Sequence, residues 1–427
     1  MLSNILTGYL IITILFCFLR LRVGLTLFLI YIIIVPFVNF LNFGANLLNM
    51  LLIAAVFFRF KIKSIDVTPF KPFIFLYIAQ LVMIPFHDSV SHEYQLHVLR
   101  SDFMGTLFLP FAIHNVMQNV KSSVNSFSST LFAIIIVAAG YSLLLTLTVG
   151  FNPYITVILP LNGQEFREGL ALANDDRIFG RISGVFAHPM KNGLFLALSS
   201  IFIISKINSK KLSSQKLLLF LLSAVLITTL LIGVRSAIAA LGISVAFFFL
   251  IEKKAKLNFA TLAGLLCIVL VIVSIPGLSD YTNSIVDSES SKVKGSSLEM
   301  RVQQFDGCMK EIQSNPAFGN GYAWTNYYRE NVGLHPTMLA FESLLIVVLS
   351  NSGFVGLIVW IIMLFIYYRL IRNKLDSTKF HLLLTLMVLY ITFSLITGEY
   401  GYLKYFMIFY VIIWNSNLKY FESRKIN

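Results

Sequence analysis

The chain has 427 residues, of which 57% are hydrophobic, 14% aromatic and 12% charged, and its mean hydropathy is +0.81. A water-soluble domain carries about 25% charged residues, so this composition excludes a soluble globular protein. The formal net charge of +13 sits mostly in short connections between apolar runs, where positive charge retains a loop in the cytoplasm; without a basic stripe of interleaved aromatics outside the runs, nucleic acid is not an expected partner.

Apolar runs recur at 3–19, 24–40, 44–58, 72–86, 103–119, 127–150, 185–205, 216–232, 236–251 and 257–276, then at 336–350, 353–371, 380–397 and 403–418. Each approaches the ~20 residues that a membrane-spanning helix needs. A transmembrane barrel would alternate polar and apolar positions, and KLLLFLLSAVLITTLLI at 216–232 does not. The expected fold class is therefore all-α, a polytopic integral membrane helical bundle. The first run passes into Arg20 and Arg22 without a small-residue cleavage site and is expected to be retained. Cys17, Cys267 and Cys308 form neither a pair to bridge nor a CxxC metal spacing.

Positive charge falls on alternate connections, at Arg20 and Arg22, at Arg59 to Lys71, at Lys121, at Lys206 to Lys216 and at Lys253 to Lys256. One cytoplasmic side demands this alternation. It places the long connections 151–184 and 277–335 on the far face, and loops of that length are usually functional. The next positive group, Arg369, Arg372, Lys374 and Lys379, keeps the alternation only if 336–350 is a helix lying against or partly entering the outer face, with Gly353 and Gly356 opening the span behind it. The expectation is about 13 spans, within about 12 to 14, with the N-terminus outside and the C-terminus inside. Five regions follow: N-terminal spans in 1–150, a first long loop at 151–184, central spans in 185–276, a second long loop with interfacial helices at 277–352, and C-terminal spans in 353–427. No internal repeat or pair of matching interrupted helices is visible.

The first long loop carries Arg167, Arg177 and Arg181, the last opening Arg181-Ile-Ser-Gly184 at the mouth of the next run. Arginine on the far face opposes the positive-inside trend and needs a negative partner. A diphosphate suits the planar guanidinium, and pairing with Glu165, Glu168, Asp175 and Asp176 in a solvated loop is the alternative. Arg235 stands between two apolar runs in Val-Arg-Ser-Ala with almost no connection, so its charge either points into a cavity or snorkels to the interface.

In the second long loop Val302, Phe305, Met309 and Ile312 recur at helical spacing. They predict an amphipathic helix on the outer leaflet that carries Arg301 in its first turn and ends at Asn315-Pro316. Glu342 would be costly at mid-bilayer on a lipid-facing helix. His188 follows Arg181 by seven residues and either faces the same cavity or is structural. His87, His92 and His97 are spaced by five, which does not stack them on one helix face, and no metal site is expected.

The order Arg181-x-x-Gly184, Val-Arg235-Ser-Ala, Arg301 in a helix closed by Asn315-Pro-x-x-Gly319-x-Gly321-Tyr322, and Gly353-x-x-Gly356 resembles the bacterial O-antigen polymerase and O-antigen ligase superfamily over about residues 175–370. In the ligase pattern a His lies eleven residues before the first Gly of the Gly-x-x-Gly pair. This chain has Glu342 there, with His335 seven residues earlier, and the departure favours polymerase over ligase.

The resemblance implies glycosyl transfer on the periplasmic face of the bacterial inner membrane, with no nucleotide sugar, metal or other cofactor. The implied donor is a glycan on polyprenyl (undecaprenyl) diphosphate, the acceptor is lipid-linked, and a protein that regulates chain length is a candidate partner. Expelling a diphosphate calls for cations where charge develops, a task that falls to Arg181, Arg235 and Arg301, with Arg167, Arg177, His188 and Tyr322 as further substrate contacts. Glu342 is the first choice of base for the acceptor hydroxyl and His335 the second, with Glu342 alternatively holding an arginine in position. The lower alternative is a lipid-linked oligosaccharide flippase, which would need charges lining a path to both faces.

Overall fold

The structure, a computed structural model, describes residues 2–34, 44–61, 64–87, 89–120, 122–147, 152–158, 182–186, 188–207, 212–251, 298–399 and 401–416. Among the described residues the chain is helical, without a strand. The helices are α1 (Leu2–Leu19), α2 (Leu21–Ile34), α3 (Gly44–Arg59), α4 (Lys71–Met83), α5 (His92–Asn119), α6 (Ser123–Leu147) and the short α7 (Pro153–Ile158). They continue with α8 (Pro189–Ile207), α9 (Leu212–Leu231), α10 (Arg235–Ile251), α11 (Leu298–Glu311), α12 (Trp324–Asn331), α13 (Leu344–Lys374), α14 (Ser377–Thr397) and α15 (Leu403–Asn415).

Among the described residues five segments are long and apolar enough to cross a membrane: Thr68–Phe86, Ser123–Thr146, Pro189–Ile207, Leu344–Lys374 and Ser377–Thr397. Shorter apolar helices lie at Thr7–Leu19, Leu21–Ile34, Asn49–Arg59, Gln215–Leu231, Arg235–Ile251 and Leu403–Asn415. Most of these overlap the apolar runs of the sequence; the runs at 336–350 and 353–371 share the one segment Leu344–Lys374, the run at 103–119 lies within α5 and is not among these segments, and the run at 257–276 lies outside the described residues.

The centre of the bundle is α8, buried continuously from Asn192 to Ile207 and packed against α6, α9, α10, α14 and α15. A helix apolar on all sides belongs inside such a bundle. Its neighbour α15 is equally enclosed from Tyr405 to Trp414. Small residues permit the closest approaches: a Cβ on Gly193 would lie 2.9 Å from Ala237 Cβ. Lipid-facing character survives elsewhere, as in the exposed Phe220, Ile361 and Phe365.

Two sequence expectations take a different form. The helix expected from residue 336 begins at Leu344, because residues 335–343 form tight turns in which Leu339 and Phe341 adopt φ of 52° and 55°. In α11 the apolar stripe is divided: Val302 and Phe305 are exposed, while Gln304, Cys308 and Ile312 are buried. The helix docks through Gly307, whose missing side chain admits Thr337.

Candidate active site at one end of the bundle

The Gly-x-x-Gly motif stands at a break between the two halves of α13, and the long apolar half opens behind Gly353 as the sequence predicts. Gly353 has φ 59° and ψ −158°, which separates Leu344–Ser352 from the long apolar segment that follows. A break inside a helix frees backbone groups that need partners. The Asn315–Gly321 loop supplies them: Phe354 N and Val355 N donate to the Pro316 and Ala317 carbonyls at 3.0 and 2.9 Å. In return Asn320 N and Gly321 N donate to the Ser350 and Asn351 carbonyls, both at 2.9 Å. The two glycine-bearing motifs of the sequence are therefore one unit.

Arg301 and Glu342 meet beside it. Arg301 Nη2 lies 3.4 Å from Glu342 Oε2 and donates to the Ile396 carbonyl at 2.8 Å, and Nη1 donates to the Glu342 carbonyl. Burial pushes the guanidinium below its ordinary pKa and the Glu342 carboxylate opposes that shift. With the Glu342 side chain 43% exposed, the ion pair adds little stability; what it does is aim the guanidinium.

His335 sits apart, 6% exposed, among the rings of Trp324, Tyr328 and Phe341. Backbone N–H groups of Thr337 and Met338 donate to its Nδ1 at 3.2 and 3.1 Å, which leaves the ring proton on Nε2, 3.5 Å from Glu311 Oε2. Both ring nitrogens are thus engaged.

Between α4, α5, α12, the two halves of α13 and the 398–403 turn lies a cavity of about 310 Å³. Its wall includes Tyr77, Gln80, Asp102, Tyr322, Trp360 and Glu399, with Arg329 and Glu330 at the exposed margin. Tyr322 is held by α5 at two points: Gln95 Oε1 accepts from its backbone N–H at 2.9 Å, and its hydroxyl donates to Asp102 Oδ2 at 2.8 Å. Gly321, with φ 116°, leaves room for the Gln95 amide.

Glu399 accepts from the backbone N–H of Tyr402 and Leu403 at 2.8 and 3.2 Å and from the Tyr390 hydroxyl at 2.9 Å. Burial nevertheless pushes its carboxyl up to about 7. Lys404, the second residue of α15, and Lys191 on α8 bring positive charge to the region of Asp102 and Glu399. Of these groups the sequence reading singled out only Tyr322. Glu399, Lys404 and Lys191 are isolated charges at the ends of apolar runs, and that position was the available signal.

Arg235 is the first residue of α10, behind the tight turn at Gly233 with φ 68°. Gly184 has φ 58°, and a Cβ there would lie 2.5 Å from Ser142 Oγ. His188 is exposed and its Nδ1 accepts from Met190 N at 3.2 Å, ahead of α8. Arg167, Arg177 and Arg181 lie outside the described residues. Among the described residues no group of three His, Cys, Asp or Glu is placed to hold a metal ion.

Fold and site together define a helical membrane protein with a partly open, mixed-charge cavity at one end of its bundle. The O-antigen ligase family model matches residues 217–361, about a third of the chain, in agreement with the O-antigen polymerase and ligase superfamily that the motifs resemble. Members of that family are glycosyltransferase-like enzymes that transfer glycans. No curated protein matches the chain.

Proposed function

We propose that the protein polymerises an O-antigen-type surface polysaccharide, joining polyprenyl-diphosphate-linked repeat units on the periplasmic face of the bacterial inner membrane. In this reading the chain crosses the membrane about 13 times and the transfer is metal-independent. The observation that carries the reading is the family match over 217–361, which encloses Arg235, Arg301, Glu342 and the loop joined to the Gly353 break.

The acceptor hydroxyl attacks the anomeric carbon of the donor and the diphosphate leaves with the bonding electrons. Arg301 and Arg235, with Arg181, Arg177 and Arg167 from the first long loop, stabilise the charge that develops on it. His188 and Tyr322 stand as further substrate-side positions. Glu342 acts as the orienter of Arg301, supported by the contacts between them. His335 acts as a structural residue of the 335–338 turn, supported by the occupation of both its ring nitrogens.

A second reading, transfer of finished glycan to a lipid core, is favoured by the ligase description of the matching family. The Glu at position 342 and the engaged His335 favour polymerase. Substituting Arg235→Ala and Arg301→Ala in a complemented deletion strain tests the clamp. Each is expected to abolish polymer while the protein stays in the membrane, and full-length polymer from both would remove the model.

A further inference from the structure

Asp102 and Glu399 both face the cavity, but their oxygens are differently committed. Both oxygens of Glu399 accept hydrogen bonds, three in all. Among the described residues the hydrogen bonds to the Asp102 carboxylate reach only Oδ2, through Tyr322. A carboxylate has about four lone-pair sites, so Oδ1 of Asp102 is the acceptor left for a ligand. The surrounding wall combines amide and hydroxyl groups with the rings of Tyr77, Tyr322 and Trp360, the mixture of flat apolar and polar surface that a sugar presents in return. At about 310 Å³ the space is at the lower end of ligand-sized pockets.

We infer that this cavity receives the terminal saccharide of the acceptor, that Asp102 Oδ1 is the base for its attacking hydroxyl, and that Tyr322 is a positioning residue for that carboxylate. The inference rests on the glycan-transfer reading above. As the hydroxyl oxygen bonds to the donor's anomeric carbon, the bond from that carbon to the diphosphate oxygen breaks and its electron pair leaves on the diphosphate. The hydroxyl proton passes to Asp102 Oδ1 and from there to water. A base must lie within hydrogen-bond reach of the proton it takes, and a carboxylate on the cavity wall with one oxygen uncommitted meets that condition. The other charged and titratable groups of the cavity wall are Tyr77 on α4, Tyr322, Arg329 and Glu330 from the second loop and α12, and Glu399 in the 398–403 turn; Lys404 on α15 stands outside that wall, and its positive charge acts on Asp102.

The test uses membranes of a deletion strain, whose accumulated lipid-linked repeat units serve as donor and acceptor, with full-length variants supplied in trans. Asp102→Asn is expected to slow polymer formation by about 10²-fold or more at wild-type protein level, and Asp102→Glu to retain part of the rate. Tyr322→Phe removes a donor that favours the charged carboxylate, so the acidic limb of its pH–rate profile should move to higher pH. A purely structural loss would lower the rate without moving that limb.

Asp102→Asn within about threefold of wild type, or Tyr322→Phe with an unmoved limb, overturns the inference. If Asp102→Asn fails to reach the membrane, the Asp102→Glu and Tyr322→Phe arms decide it. The glycan-transfer reading fails by a different result: a deletion that leaves both surface glycan and lipid-linked intermediates unchanged.

Discussion

Gly319 and Gly353 meet backbone to backbone, so that a Cβ on Gly319 would lie 2.7 Å from Gly353 N and one on Gly353 would lie 2.5 Å from the Pro316 carbonyl oxygen. Both have φ in the left-handed region, at 74° and 59°. The contact closes the helix break on the loop that carries Tyr322 into the cavity.

Gly353→Ala and Gly319→Ala should each lower the melting temperature in detergent, since backbone strain of about 1–3 kcal/mol adds to a contact that only backbone movement relieves. Gly105→Ala in α5 is the control, because nothing lies within 4 Å of its Cβ position. It should be neutral or slightly stabilising, as Ala is the better helix former.

If Glu342 acts by aiming Arg301, their substitutions are not additive. Glu342→Gln should lower the rate about tenfold and Arg301→Ala considerably more, and the double variant should be no slower than Arg301→Ala alone. Rates of polymer formation in membranes check this, and additive losses would separate the two roles.

His335→Asn should keep most activity and stability, because its side-chain oxygen can accept from the Thr337 and Met338 N–H groups as Nδ1 does. His335→Ala should lose stability through two unpaired donors, one of them on the buried Met338. A histidine acting as base would be inactivated equally by both changes.

At the other end of α5, buried His114 lies 3.1 Å from Asp66 and accepts from Asn415 Nδ2 at 2.9 Å, joining α5, the segment before α4, and α15. The hydrogen bond from His114 is the largest influence holding the Asp66 carboxyl well below its ordinary value. A lowered carboxyl pKa stabilises the fold above the unfolded value, about 3.9, and that contribution disappears as pH falls through the folded value. Asp66→Asn should therefore melt earlier than wild type at pH 7, with the gap narrowing below about pH 4.

Much of this was legible in the sequence, for identifiable reasons. Most of the long helices follow from apolar run length, and α5 extends well beyond its run through His92 to Asp102, where charged and polar side chains are mixed with Leu96, Val98 and Leu99. Arg301, Glu342, the Asn315–Gly321 loop and Gly353 could be named because each breaks a local rule: a charge near lipid, or glycines and proline beside apolar runs. How the break at Gly353 is satisfied depends on the partners that the Asn315–Gly321 loop supplies, which lie more than thirty residues upstream. The cavity was hidden for the same reason. Asp102, Tyr322 and Glu399 come from separate elements, and no local spacing joins them.

The measurement that bears most directly on the account is a chromosomal deletion in the source bacterium, followed by gel analysis of its surface polysaccharide and polyprenyl-linked intermediates. Polymerase activity predicts a surface lipid core capped by a single repeat unit, with long chains restored by the intact gene. Core without repeats, alongside long polymer retained on polyprenyl diphosphate, would instead assign the ligase step. An unchanged ladder with unchanged intermediates would contradict glycan transfer by this protein altogether.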